Sequence, residues 1–346
     1  MHQAGGSAAP WQGPAPSQRI LRDFIQLRRR LTPYVESVGF GRTAETADSR
    51  APYAAASLDD YARAANNLPP FEFGPAFWMQ PAPPVATESL RVVLPDGPVW
   101  VDFGTGAAYA GGQVIRTSAP LELIPTFVRG GAIVPLATVD EQSGKITDPL
   151  EIRIYPGADG VFTLQEAGGA HGRVVFSWND KAQELRIGAR TGGVATRRRF
   201  EIVMVHPGSV AGHAKPARPN AVVDYEGAEV RLAMPAPAAR PGPPNGLAAT
   251  IQGGRVVLTW DAPSASPVYR LKCVLGAGGG HEDIASALLH PRHVIPLTAC
   301  ETTFDCVVTA MNSGGESAPS APLRVVVPGG AGMSARATPT QFAKAV

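Results

Sequence analysis

Residues 90–136 alternate apolar and polar side chains in short runs parted by turn residues, a pattern that an antiparallel sheet satisfies. Leu90, Val92 and Leu94 fall on one face of a strand, Pro95-Asp96-Gly97-Pro98 supplies a turn, and Val99-Trp100-Val101-Asp102-Phe103 opens the next strand. Gly104-Thr105-Gly106 and Gly111-Gly112 interrupt the pattern again, and further strands are predicted at 113–117 and 126–135. The spacing suits an all-β sandwich or barrel rather than βαβ units.

Composition agrees. A chain of 346 residues is long enough for two or three domains, and 38 Gly and 34 Pro with only 17% charged residues favour turns and short strands over long solvated helices. A net charge of +2 is too small to make nucleic acid or a membrane surface the main partner, and no apolar run approaches the length of a membrane span. Residues 1–6 have neither the basic start nor the apolar core of a secretory signal. Cys273, Cys300 and Cys306 lie close together, so most of the chain relies on apolar packing. The spacing fixes neither their pairing nor the compartment.

Residues 1–16 are small and Gly/Pro-rich and read as disordered. An amphipathic helix is predicted from Ser17, a plausible N-cap, over 17–40: Ile20, Phe24, Leu27, Leu31 and Val35 recur at three- and four-residue steps, and Pro33 should kink it. Arg28, Arg29 and Arg30 read as a solvated helix face, since a single basic turn without interleaved aromatics is a poor nucleic-acid footprint. Residues 41–70 are Ala-rich and irregular, with a short helix predicted at 57–65.

The motif series in this half resembles glycoside hydrolase family 31, the α-glucosidases and α-xylosidases. Pro10-Trp11 and Leu27-Arg28-Arg29-Arg30-Leu31-Thr32-Pro33-Tyr34 resemble the last helix of the family's catalytic (β/α)8 barrel. Phe71 to Pro75, Leu94-Pro95, Trp100 to Phe103, Thr105-Gly106, Tyr109 to Gly112, Ala119 to Leu121 and Ile124 to Arg129 follow in the order of the proximal C-terminal β-sandwich, expected over 71–138. Gly104 stands where the family usually has a second Trp.

After a loop at 138–147, a second β unit is expected over 147–234. Its Tyr155 to Gly160 turn, Trp178 to Asp180 hairpin and Ile187 to Arg190 strand resemble the family's distal C-terminal β-domain. Glu166-Ala167-Gly168-Gly169 replaces the usual acidic loop. Residues 235–246 form a stiff Pro/Ala/Gly linker, residues 247–328 resemble a fibronectin type III domain with Trp260 in its core and Phe304 where a corner Tyr is usual, and 329–346 read as a disordered tail. The fold class is therefore mainly β, tandem sandwiches preceded by one barrel-type helix.

A retaining glycosidase needs two carboxyl groups about 5–5.5 Å apart. The resemblance places both on barrel strands that precede the helix at 17–40. Asp102, Glu122, Glu151, Asp159 and Asp180 fall at turns or on alternating outer strand positions and read as solvated surface groups. His2 lies nine positions before Trp11, a distance at which some family members place a sugar-contacting His; its surroundings here read as a floppy terminus. His290, His293, Cys300 and Cys306 superficially offer zinc two imidazoles and two thiols, but the type III resemblance buries Cys306 in a core strand. Gly104 to Tyr109 lacks the third glycine and the helix of a dinucleotide fingerprint, and neither a Gly-x-Ser-x-Gly elbow nor a phosphate-binding loop occurs.

No catalytic, cofactor-binding or metal residue is thus assigned, and no cofactor is expected. The resemblance implies an accessory β-domain portion of an α-glycosidase-like protein, inactive alone, whose partners are a separately encoded barrel chain and carbohydrate. The alternative is a non-catalytic carbohydrate-binding or adhesive module that stacks sugars on Trp78, Trp100 or Trp178.

Overall fold

A computed structural model describes residues 15–40, 70–81, 87–120, 122–140, 143–166, 172–193, 197–210, 216–252, 254–263, 268–275, 282–296 and 302–327. His2, Cys300, the helix expected at 57–65, the loop after Glu166 and the tail at 329–346 lie outside these residues. Two compact units form: Met1–Thr87 with Gly97–Gly111 and Ala119–Ala236, and Glu88–Asp96 with Gly112–Ser118 and Pro237–Val346. The described residues are mainly β, in several sheets, with two helical segments.

In the first unit, α1 (Ala15–Arg30) and α2 (Thr32–Phe40) are one amphipathic helix interrupted at Leu31. Pro33 has no N–H to donate, which removes one rung of the ladder. The bonds Leu31 N→Leu27 O and Val35 N→Leu31 O, both 3.0 Å, carry the chain across the break. The helix starts at Ala15, two residues before the predicted N-cap, Ser17. Leu27, Leu31, Tyr34 and Val38 line its inward face, while Val35 is 45% exposed. Steps of three and four from Leu31 fit a helix equally well; burial selects Tyr34 and leaves Val35 outside.

This face packs on the strands Ile133–Val139 and Gly160–Gln165 and shares a core, through Phe77, Val101, Phe103 and Val128, with a five-stranded antiparallel sheet ordered Phe71–Phe73, Phe77–Met79, Thr126–Arg129, Trp100–Asp102, Ala108–Tyr109. Tyr34 meets Phe77 edge-on at 5.1 Å and stacks on Phe162 at 5.9 Å; such aromatic pairs contribute about 0.5–1.5 kcal/mol beyond their buried area.

The single strand predicted at 126–135 is two. Thr126–Arg129 stays in the five-stranded sheet, Gly130 and Gly131 turn the chain, and Ile133–Val139 joins the next sheet. That sheet runs Ala221–Tyr225, Arg198–Met204, Ile146–Ile154, Ile133–Val139, its middle pair parallel. Pairing continues through Thr138↔Thr147 and Val139↔Ile146, so the predicted loop is shorter than 138–147. A second four-stranded sheet, Gly160–Gln165, Arg173–Asn179, Glu184–Ile187, Val230–Ala233, shares with it a core that includes Ile152, Phe176, Trp178, Leu185, Phe200 and Tyr225.

The second unit takes in 88–96 and 112–118, where the strands Thr87–Val93 and Val114–Ala119 form a two-stranded sheet, the chain between them (97–111) belonging to the first unit; Val92, Leu94 and Ile115 are buried. It also holds a two-sheet sandwich. One sheet is Asn245–Gln252, Arg255–Asp261, Arg292–Pro296; the other is Glu282–Leu288, Val268–Leu275, Thr302–Asn312, Gly315–Glu316, with Leu323–Val327 also paired to Thr302–Asn312. Trp260, Leu258, Tyr269, Val308 and Phe304 belong to its core. Cys273 and Cys306 face each other in register and form a disulfide. The linker is held at Ala238, whose N–H donates to Ser313 Oγ at 2.9 Å, and at Ala239, whose carbonyl accepts from Asn312 Nδ2 at 2.9 Å.

Gly106 shows why this scaffold needs glycine in its turns. Its φ is +75°, and a Cβ there would lie 2.1 Å from the His206 carbonyl oxygen. Gly106→Ala is expected to lose at least about 2 kcal/mol in urea unfolding, from the left-handed backbone and the clash together. Gly39→Ala, in open space on α2, should cost nothing; equal midpoints for the two variants would contradict this packing.

Candidate functional site

The strand Ile146–Ile154 carries Leu150, Ile152 and Ile154 on one face, in the core between the two four-stranded sheets. Alternation sends Glu151, Arg153 and Tyr155 to the other. The sequence predicts water there; the structure instead covers this face with the helix and the five-stranded sheet. Glu151 and Arg30, both read above as solvated, are 3% and 4% exposed, and Arg153 is 0% exposed.

One carboxylate serves both arginines. Arg30 Nη2 donates to Glu151 Oε2 at 2.7 Å, Arg153 Nε donates to Oε1 at 2.5 Å, and the Ala217 N–H reaches Oε2 at 3.2 Å. Arg30 Nε also donates to the Ala137 carbonyl at 3.3 Å, and the Arg153 guanidinium lies 5.1 Å over the Phe103 ring. Burial lowers the Arg30 pKa and the neighbouring carboxylate opposes it. Arg28 and Arg29, by contrast, are exposed as expected. Arg30 is the last residue of α1, so this contact fixes where the helix ends on the sheet.

The other candidate acids serve local backbone. Asp102 Oδ1 accepts from the N–H groups of Gly104 and Thr105 at 3.0 and 2.7 Å and from Thr105 Oγ1 at 2.8 Å, closing the Gly-Thr-Gly turn. Asp180 Oδ1 accepts from Gly157 N at 2.9 Å and Trp178 Nε1 at 3.0 Å, while the Asp180 N–H donates to Asp159 Oδ1 at 2.8 Å. These bonds lock the Tyr155 to Gly160 turn against the Trp178 to Asp180 hairpin. Glu122 is exposed.

Trp100 and Trp178 are buried, so neither offers a flat face to a sugar; Trp78 is half-buried and packs 6.3 Å from Trp100. A shallow cavity of about 300 Å³ on the outer face of Gly160–Gln165 and its neighbours is lined by Val161, Ser177, Asn179, Glu184 and Arg186 over the edge of Trp178. Beside it, Glu229 accepts from Arg186 at 2.5 Å and Arg231 at 3.0 Å, which hold its pKa down to about 2. Cys306 is bound to Cys273, so the four-ligand zinc set with His290, His293 and Cys300 cannot form. Among the described residues, no group of three or more His, Cys, Asp or Glu is placed to hold a metal.

Removing the Glu151 carboxylate would leave two buried guanidinium groups without their counter-charge, a loss of about 3–5 kcal/mol. Glu151→Ala should therefore fall by that much in urea, whereas Glu184→Ala on the outer face should change stability by under about 0.5 kcal/mol. Burial also pushes Tyr34 and Tyr155 up to about 12 from the ordinary 10. The unfolded chain then ionises first, so their contribution is whole below pH 10 and is lost between pH 10 and 12. Tyr34→Phe should flatten that alkaline loss; an unchanged slope would contradict a buried hydroxyl.

Residues 59–134 match the glycosyl hydrolase family 31 C-terminal domain, a match that begins within the Ala-rich segment. The α-xylosidase of Saccharolobus solfataricus is 28% identical over 234 residues, 64% of this chain and 31% of that protein. Neutral α-glucosidase C of Mus musculus is 29% identical over 154 residues, 44% of this chain and 17% of that protein. Among solved structures, the family 31 α-xylosidase from Xanthomonas citri is similar with a TM-score of 0.54 and 30% identity, over 66% of this chain and 26% of that one. The chain therefore spans under a third of the length of these relatives. The 59–134 segment thus matches the family 31 C-terminal domain, and the chain around it resembles the C-terminal region of the family's α-glucosidases and α-xylosidases.

Proposed function

We propose that this chain is the accessory β-domain portion of a family 31 α-glycosidase-like protein, with the hydrolytic carboxylates on a (β/α)8 barrel that lies outside this sequence. The observation that carries this reading is the buried Arg30–Glu151 pair. The helix that resembles the closing helix of such a barrel is tied into the β-domains by an ion pair and by Leu27, Leu31 and Tyr34. The β-domains then hold a barrel element in place, while the relatives' named activities suggest α-xylosides or α-glucosides as substrates. Asp102, Glu151, Asp159 and Asp180 are engaged in turns or ion pairs, which leaves them poor candidates for nucleophile or acid/base.

Carbohydrate binding without catalysis is the second reading, and Trp78, the half-buried ring of the three, is the observation that favours it. Its indole fluorescence would respond to a bound maltooligosaccharide, and Trp78→Ala would abolish that response.

The decisive assay is hydrolysis of p-nitrophenyl α-xyloside and α-glucoside by the purified chain, alone and with lysate of its source. The expected result is no hydrolysis by the chain alone; a rate above the lysate background when the two are combined would show that the barrel is supplied by another chain. Turnover by the purified chain alone would overturn the proposal.

A further inference from the structure

The sheet that contains Val268–Leu275 and Thr302–Asn312 is buried on both faces along part of its length. Tyr269, Leu271, Cys273, Cys306, Val308 and Ala310 face the core of the type III-like module, as alternation requires. The outward positions pair across the strands as Val268↔Met311, Arg270↔Thr309, Lys272↔Val307 and Val274↔Asp305. Burial along this row is graded. Asp305 is ion-paired with Arg324 at the open end, whereas Arg270 is 5%, Met311 1% and Val268 0% exposed at the other. A type III module strung freely on a linker would leave this whole row in water.

The strand pair from residues 88–96 and 112–118 belongs to the same compact unit and meets the covered end. Arg270 Nη2 donates to Gln113 Oε1 at 2.8 Å, and Ser286 Oγ donates to the Arg116 carbonyl. Two features position these donors. Glu316 lies 3.5 Å from Arg270 and 3.6 Å from Lys272 and accepts from Thr309 Oγ1 at 2.5 Å, which orients the guanidinium. Ala287 holds φ at 59° where the pairing of Glu282–Leu288 with Val268–Leu275 shifts register, and that irregularity turns Ser286 toward the strand pair.

We infer that the outer face of this sheet is a docking face whose occupant is the chain's own strand pair 88–96/112–118, and that the module acts as a brace on that pair rather than as a free ligand-binding bead. The pair is a sheet of two strands with no tight turn joining them, too few to hold its own hydrogen bonds in water. The module gives it a third layer.

Hydrogen exchange on the full chain tests this. The amides of Leu94, bonded to the Gln113 carbonyl, and Gly112, bonded to the Pro95 carbonyl, report opening of the strand pair. Arg270→Ala should speed their exchange on the order of tenfold, the effect of losing one buried charge-assisted bond. Gln113→Ala removes the same bond from the side of the strand pair and should do likewise even if Arg270→Ala perturbs the module, and the double variant should go little further. Arg324→Ala, at the open end of the row, should leave both amides unchanged. Unaltered protection of the strand pair in Gln113→Ala, or equal acceleration by Arg324→Ala, would overturn the inference.

Discussion

The first unit depends on one carboxylate shared between two buried guanidinium groups. Apolar packing alone would let the helix slide or roll over the sheet, because Leu27, Leu31 and Val38 present similar surfaces at successive turns. Glu151 removes that freedom. It sits on a central strand whose other face is committed to a separate core, and its Oε2 accepts from Arg30 at the very end of α1. Arg153 takes the other oxygen and covers Phe103, so the pair is enclosed within a layer that also holds Tyr34, Tyr155 and Val134. A buried ion pair gains little over a well-packed apolar contact, yet breaking one side of it is costly. It therefore sets position more than total stability.

The turn motifs that resemble family 31 find their reasons in the same scaffold. Asp102 closes the turn that Gly106 packs against the His206 carbonyl, and Asp159 and Asp180 join two hairpins of the following sandwich. Gly160 belongs to the same joint: a Cβ on it would run into the Gly131 carbonyl oxygen. Acidic and glycine residues in these motifs are thus accounted for by backbone needs, without any catalytic demand on them.

Much of this was legible in the sequence, because strand alternation and turn residues are local signals. The strands on either side of Asp159 and the core positions of Val92, Leu94 and Trp260 follow from such patterns. The joint did not. Leu150-Glu151-Ile152-Arg153-Ile154-Tyr155 has the alternation of a half-exposed strand, and nothing local says that its polar face will be covered from 121 residues away, the separation of Arg30 and Glu151. A Glu and an Arg two apart on one strand face could have raised the question, as could a third Arg in a turn whose two neighbours are exposed. The same non-local origin hid the covering of Arg270, and it moved the helix's inward face from Val35 to Tyr34, since both residues fit the period.

A double-mutant cycle on Arg30 and Glu151 tests the central claim most directly. Arg30→Met, Glu151→Gln and the pair would be compared by urea unfolding followed through helical and sheet signals. Residues that share a buried contact couple by about 0.5–3 kcal/mol. A coupling in the upper half of that range, with the helix lost before the sheets in either single variant, is what the buried joint predicts. Additive losses within about 0.3 kcal/mol would show that the two side chains act independently and that apolar packing alone seats the helix.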